Sequence, residues 1–424
     1  MKSSTLLDYK EYQYYLDSLY EKELDYGAKF SMIASLTPAI LSPEEANGFV
    51  DRYKTIQEFW HISQELFKRS LTDTSLTDVR DLILNEVNPQ FALSYHQNLY
   101  GKELDFPRFF RTDESIPGKI AEIQSPGSGW GNLHSLQTSL TYLQKHIDFK
   151  TRSYNKKPVA EIVSRIIKEL THDNPLIFHQ IDESSNMIDT NYFISSTRKY
   201  GLKYLGHDYQ ALFKNVNFIR THSFMEQATG SCFFEFLQRY YEHKLLFDIF
   251  PSILFFQKLP LIFPFWKKTK HLYSDRIRNI FPFTSLVTDT IELEDGEQVT
   301  LKQFSELPPH KRNYYLKYGG TDGTINWGSK AVYHLGKKNS CNQCKKLLEQ
   351  AIYGYQKKHY WIIQKSYHQK VNTTYVCEDA LKNQESYAKW SGYYGPEGFM
   401  GGYVMSRDYH KVHGQSDTVC RVLL

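Results

Sequence analysis

Two kinds of hydrophobic pattern divide the chain. Through about the first 85 residues, apolar positions recur at helical spacing between short connections, which predicts helices. Leu41-Ser42-Pro43-Glu44-Glu45 marks one helix start, with Ser42 as N-cap and Pro43 at the first helical position. Glu45, three residues after Ser42, completes a capping box. Val50, Tyr53, Ile56, Phe59 and Trp60 carry the apolar stripe of this helix, which runs to about Arg69.

From Pro107 to Gln124 the pattern changes to two strand-like runs around the turn signal Ser115-Ile116-Pro117-Gly118, and a helix is predicted over Leu133 to His146. Between about 158 and 224, helices (Val159 to Leu170, Asn191 to Tyr200) alternate with short apolar runs (Leu176 to His179, Leu202 to Leu205, Val216 to Ile219). Such alternation predicts a parallel α/β layer. Further strands are predicted at Tyr314 to Lys317, Ala331 to Tyr333 and Tyr360 to Ile363, with a helix over Cys341 to Ala351. No internal repeat and no low-complexity tract interrupts these patterns.

A chain of 424 residues implies two to three domains, and 41% hydrophobic residues suffice for large cores. The net charge of +4 is unevenly distributed. From His310 to Leu424 there are 17 Lys+Arg against 8 Asp+Glu (+9), and the remainder holds 34 against 39 (−5). A basic final segment suits an anionic ligand, although it also describes a solvated lysine-rich surface. Five cysteines in a chain of this length argue against a disulfide framework. Met1-Lys2 is followed by polar sequence, and the most apolar stretch, Leu245 to Phe265, is broken by Asp248, Pro251, Lys258, Pro260 and Pro264. A cytoplasmic protein without a membrane span is expected. Tyr and Phe are spread along the chain instead of being interleaved with a basic patch, which argues against nucleic acid as a partner.

Candidate chemistry concentrates in a few places. Arg111-Thr112-Asp113 ends the first strand of the turn region, and Glu122-Ile123-Gln124 ends the second. Side chains alternate along a strand, so a hairpin would put Arg111, Asp113, Glu122 and Gln124 on one face. Two carboxylates and an amide oxygen suit magnesium, and the arginine suits a phosphoryl group in flight. An exposed hairpin with Arg–Asp and Lys–Glu pairs is the plainer alternative. The following Pro126-Gly127-Ser128-Gly129-Trp130-Gly131-Asn132 has the wrong glycine spacing for a dinucleotide turn, and no acidic residue ends a strand at the required distance.

Lys317-Tyr318-Gly319-Gly320-Thr321-Asp322-Gly323 joins two predicted strands, where backbone amides and a lysine can meet phosphates. It is no Walker loop, since Ser329-Lys330 reverses the required order. Cys341-x-x-Cys344 is half of a zinc pattern with no second pair, and reads better as a helix start. Arg220-Thr221-His222 follows a predicted strand, a position where α/β proteins place substrate contacts. Arg407 could reach a phosphate from the strand before it.

Taken together, these pieces resemble the ATP-grasp superfamily. There an Arg-x-Asp strand is followed by Glu-x-Asn and a Pro-Gly, and Arg111, Asp113, Glu122, Gln124 and Pro126-Gly127 take those places. Lys258 and Lys317 look like the two phosphate-binding lysines, with Gly319 and Gly320 beside the second. Trp361-Ile362-Ile363-Gln364 looks like the hinge strand next to adenine. The hairpin precedes Lys317 by about 200 residues, which is the order of circularly permuted ATP-grasp proteins similar to glutathionylspermidine synthetase.

The resemblance implies an α/β ATP-grasp fold, circularly permuted, with an N-terminal helical segment. It divides the chain into a helical region (1–104), a metal-binding hairpin with an α/β substrate domain (105–257), and the ATP-binding lid with the rest of the core (258–424). It also implies ATP and magnesium (Mg2+) as cofactors, with Asp113, Glu122 and Gln124 on the metal and Arg111 catalytic. Lys258, Lys317, Gly319, Gly320, Gln364 and Arg407 would bind ATP, and Arg220 and His222 substrate. The activity implied is a carboxylate–amine ligase acting through an acyl phosphate, on small-molecule or peptide substrates. Gln124 departs from the family's Asn, and Lys365 stands where relatives often have Glu. A nucleotide-binding protein that has lost the ligase activity is the alternative, with a dinucleotide-dependent oxidoreductase behind it.

Overall fold

Ser42 caps the first long helix as its sequence predicts. Its hydroxyl accepts from the Glu45 amide while the Glu45 carboxylate accepts from the Ser42 amide, and Pro43 opens the helix. The computed structural model describes residues 32–35, 38–84, 105–125, 128–146, 157–180, 187–205, 216–221, 231–249, 252–322, 325, 331–336, 339–377, 380–414 and 417–423. Pro126, Gly127, His222, Gly323, Gly328, Ser329 and Lys330 lie outside the described residues.

In chain order the described elements begin with β1 (Ile33–Ala34), α1 (Pro43–Ser70) and α2 (Thr77–Leu84), followed by the hairpin β2 (Phe110–Ile116) and β3 (Lys119–Gln124) and then α3 (Trp130–His146). An alternating stretch comes next: α4 (Val159–Leu170), β4 (Leu176–Gln180), α5 (Met187–Lys199), β5 (Lys203–Leu205), β6 (Phe218–Thr221), α6 (Ser231–Tyr241) and β7 (Leu246–Phe247). After it come α7 (Asp275–Ile280), β8 (Thr284–Leu286), β9 (Thr290–Glu292), β10 (Gln298–Thr300), α8 (Leu301–Glu306), β11 (Tyr314–Tyr318), β12 (Val332–His334), α9 (Cys341–Gln356) and β13 (Trp361–Lys365). The chain closes with β14 (Lys370–Cys377), β15 (Ala380–Gly395), β16 (Gly398–Arg407) and β17 (Val419–Val422).

The alternating stretch forms the expected parallel layer, in the order β5-β4-β6-β7. A second sheet, β12-β11-β13-β8, is antiparallel. The largest sheet has seven strands, β1-β17-β16-β15-β2-β3 with β14 also on β15. β15 pairs β14 along its first half and β2 along its second, so the last strands of the chain embrace the early hairpin.

Helices α1 and α2 pack Phe49, Ile56, Phe59, Trp60, Leu82 and Ile83 into one core with Phe110 and Ile120 of the hairpin. Val50, expected on the apolar stripe of α1, is instead 57% exposed. The buried stripe follows Phe49, Arg52, Ile56, Phe59 and Ser63 at three- and four-residue steps, and Val50 falls beside it. A second core joins α3 and α4 to Tyr393, Met400 and Tyr403 of the large sheet, and a third lies under the antiparallel sheet against α8 and α9. Among the described residues no helix is long and apolar enough to cross a membrane.

Candidate functional site

The turn between β2 and β3 sets a register in which Arg111 faces Gln124 and Asp113 faces Glu122. Directly opposed residues share a face, so all four side chains project to one side of the hairpin. β15 lies along the other edge of β2, with Ser391 opposite Asp113, and brings Lys389 to the same place. Asp113 is the hub. Its Oδ2 accepts from Arg111 Nη2 at 3.0 Å, Gln124 Nε2 at 3.2 Å and Lys389 Nζ at 2.9 Å. Its Oδ1 accepts from Ser391 Oγ at 2.9 Å and lies 3.0 Å from Arg111 Nε. Burial alone would raise its pKa, but Arg111 and Lys389 hold the carboxyl well below the usual range.

Lys258 and Lys317 arrive from separate elements. Lys258 precedes a turn of 3-10 helix at Leu259–Ile262, and its Nζ sits 3.2 Å from Glu122 Oε1. Lys317, on β11, donates to Gln364 Oε1 on the neighbouring β13 at 2.6 Å and to the Ala121 carbonyl of the hairpin at 3.1 Å. Gln364 is held in turn by its own amide, which donates to Thr284 Oγ1 at 3.2 Å. Burial depresses Lys317 to about 8, Glu122 opposes this and Lys258 adds to it. Desolvation pushes Glu122 up, but Lys258, Lys317 and Lys389 together outweigh it and hold the carboxyl below its ordinary value.

Between the hairpin and the antiparallel sheet lies a cleft of about 110 Å³. Its charged lining comprises Lys317, Lys365, Lys389 and Lys411 against Asp113 and Glu122, and Tyr315, Tyr367, His368 and His410 form much of the remaining wall. Lys389, Lys411 and the two histidines carry no motif. Lys389, Lys411 and His410 reach the cleft because β15 and the segment after β16 pack against the hairpin, and His368 comes from the connection between β13 and β14.

The other predicted residues are placed differently. Arg111 is 5% exposed, and Nη1 donates to the Ser128 carbonyl at 2.6 Å and Ser128 Oγ at 3.1 Å, so its fork is engaged by Ser128 and Asp113. Gly319 donates its amide to the Tyr360 carbonyl and accepts from the Lys258 amide, both at 2.9 Å, so it has no N–H left for a phosphate. A Cβ there would lie 2.6 Å from Leu259 Cδ2, which explains the glycine by close packing. Gly320 follows it, buried, beyond the end of β11.

Arg407 ends β16 and pairs with Asp417 at 2.7 Å, away from the cleft lining. Arg220 is buried, 3.5 Å from Asp248, with its guanidinium carbon 4.9 Å from the ring centre of Phe193 and 5.2 Å from that of Trp130. It packs inside the α/β layer and does not meet the cleft. Lys365 turns toward Glu294 at 3.3 Å. Cys341 and Cys344 open α9 behind the N-cap Ser340, as a helix start predicts.

The start of α3 closes the dinucleotide reading. Asp189 Oδ2 accepts from the Gly129 amide at 2.9 Å and Oδ1 from the Asn132 amide at 2.7 Å, so the protein's own carboxylate occupies the place a phosphate would take. Gly129 has φ +87°, and a Cβ there would collide with Tyr393 Oη.

A divalent cation needs lone pairs facing it. Asp113 Oδ2 already accepts three N–H donors, more than a carboxylate oxygen has lone pairs to offer. Gln124 presents its nitrogen, not its oxygen, to Asp113, and its Oε1 accepts from Ser128 Oγ at 3.4 Å. Among the described residues no group of three or more His, Cys, Asp and Glu is arranged to hold a metal ion. The donor set at Asp113 and Gln124 does not fit magnesium.

No protein-family model matches the chain, and no curated protein matches it. Among solved structures it is similar to a glutathione synthetase-like effector from Globodera pallida in its apo form, with 11% identity, a TM-score of 0.52, and coverage of 97% of this chain and 96% of that one. A putative gamma-glutamylcysteine synthetase from Methylobacillus flagellatus KT aligns over 82% of this chain and 85% of that one, at 12% identity and a TM-score of 0.40. The first likeness concerns the fold: this mixed α/β chain is built, nearly end to end, like a glutathione synthetase-like protein.

Proposed function

We propose that the chain binds the triphosphate of ATP in the cleft between the hairpin and the antiparallel sheet, and uses it to join a carboxylate to an amine. The observation that carries this reading is the lining itself, four lysines against two carboxylates. A concave, low-dielectric wall with this imbalance concentrates a polyanion. The tyrosine and histidine faces beside it suit a planar base. The synthetase-like name of the Globodera pallida neighbour supports amide formation, and the order of hairpin before lysines supports the circularly permuted form of the ATP-grasp fold.

In such a reaction a substrate carboxylate oxygen attacks the γ-phosphorus. The bond from that phosphorus to the bridging oxygen breaks, and ADP leaves. The amine then attacks the carbonyl carbon of the acyl phosphate, phosphate departs with the bonding pair, and the amine nitrogen loses a proton. Lys317 and Lys258 neutralise the phosphates, with Gln364 fixing the first and Glu122 the second. Arg111 acts as a positioning residue that ties Asp113 to the Ser128 loop.

Calorimetric titration with ATP, followed by ADP release in the presence of pooled carboxylates and amines, tests the reading. Absence of ATP binding overturns it. One observation favours a second reading, nucleotide binding without turnover: Asp113 and Arg111 are already engaged with each other and their neighbours. ATP binding with no ADP release from any pool would select that reading.

A further inference from the structure

The Lys389 ammonium stands where a cation between a carboxylate and a phosphate would stand. It reaches Asp113 Oδ2 at 2.9 Å from β15, it is 22% exposed, and it lines the cleft. Among the described residues Asp113 is its one hydrogen-bond partner. An ammonium has three N–H donors, so two are left for an oxygen in the cleft.

The opposite side of Asp113 is closed by Arg111 and Gln124, and Ser391 takes the remaining oxygen. The only other acid in the lining, Glu122, is paired with Lys258. Each of the two cleft-lining carboxylates is therefore paired with a lysine. A compact, strongly hydrated point charge is the side-chain group nearest to a metal ion in what it offers an anionic oxygen.

We infer that Lys389 is a built-in cation: it takes the place of a protein-held divalent metal at Asp113 and offers its free N–H groups to the anionic ligand of the cleft. The inference rests on the nucleotide reading for the identity of that ligand, but not for the occupancy of Asp113. It replaces the expectation that Asp113, together with Glu122 and Gln124, binds magnesium.

Two measurements on the full chain test it. The first uses manganese alone, following the free-ion signal by electron paramagnetic resonance. Wild-type protein should bind no manganese at the hairpin, and Lys389→Met should gain a site that Asp113→Asn then removes. The second is calorimetry with a non-hydrolysable ATP analogue, in magnesium and in EDTA. Wild-type affinity should agree within about threefold between the two buffers. In EDTA, Lys389→Met should weaken it about tenfold or more, the loss expected for a hydrogen bond to a charged group, and Lys389→Arg should stay near wild type.

A manganese site in the wild type that Asp113→Asn abolishes overturns the inference, and so does an affinity that collapses in EDTA while Lys389→Met behaves as wild type does. If a variant fails to fold, a wild-type affinity that collapses in EDTA overturns the inference by itself. An analogue that binds in neither buffer would sink the nucleotide reading, whereas the manganese titration would still judge Lys389 separately.

Discussion

Arg52 Nη1 and Glu114 Oε1 lie 3.0 Å apart behind the hairpin, on the side of β2 opposite Arg111 and Asp113. Both side chains are nearly inaccessible, at 6% and 0% exposure. Glu114 Oε2 also accepts from the Gly118 amide at 2.9 Å, so one residue of α1 holds both the strand and its turn in place. The cleft face of the hairpin is thereby anchored from behind by the N-terminal helix.

Removing Arg52 leaves a buried carboxylate without its cation. Arg52→Ala should cost about 3–5 kcal/mol at pH 7, the usual range for breaking a buried pair. Burial lifts Glu114 to about 7 despite Arg52, so the folded state holds more protons than the unfolded state between about 4.5 and 7. Stability contributed by this group is then full below about 4.5 and falls as pH rises through 7. Denaturant melts of wild type and Glu114→Gln at pH 5 and pH 7 should show a steeper slope in the wild type, the variant keeping what Asp189 and Asp248, each raised to about 6 by burial, contribute, and the Arg52→Ala penalty should shrink at pH 5, where Glu114 accepts a proton.

Lys317 is depressed to about 8, chiefly by burial, so it is charged below that pH and loses its proton above it. Nucleotide affinity should therefore weaken between pH 7 and pH 9 in the wild type, with a midpoint near 8. Lys317→Met should bind about tenfold more weakly at pH 7 and lose this pH dependence. The stability sign is opposite to the binding sign. Between about 8 and 10.5 the unfolded chain holds the extra proton, so the lysine's contribution to stability rises with pH. Calorimetry and denaturant melts across this range check both; a pH-independent affinity would remove Lys317 from the phosphate site.

Glu122 is one of two acids in a lining with four lysines. Glu122→Gln removes a negative charge beside Lys258, so the nucleotide should bind about three- to tenfold tighter while any turnover falls. Weaker binding by the variant would indicate that the carboxylate itself faces the ligand through a bound cation.

Gly319 tests packing against phosphate binding. Its amide is taken by Tyr360, and a Cβ would press on Leu259, so Gly319→Ala should lower stability by about 1–3 kcal/mol. Lys258 shares the Gly319 carbonyl, so nucleotide affinity should fall modestly along with it. A thermal melt equal to wild type, with affinity lost, would restore a direct phosphate role to Gly319.

Much of the secondary structure was legible in local pattern. The capping box at Ser42, the stretch Val159–Leu170 and the paired faces of β2 and β3 arise from contacts within a few residues or across one turn, and the helix–strand alternation of the parallel layer is itself a local pattern. Such signals lie within one window of sequence, and so did the chemistry of Arg111, Asp113, Glu122 and Lys317. What each of these groups touches was decided elsewhere. Lys389 comes to Asp113 from 276 residues away, Lys317 to Ala121 from 196, and Ser391 to Asp113 from 278. Lys389 sits in a strand whose alternation marks it as an outward lysine, and only the pairing of β15 with β2 turns that outward face onto the hairpin. Arg220 and Arg407 show the reverse case, ligand-like positions in sequence that the fold engages with Asp248 and Asp417. Periodicity fixes which face a side chain takes; which charge meets it there depends on long-range strand pairing, and that is a property of the tertiary structure alone.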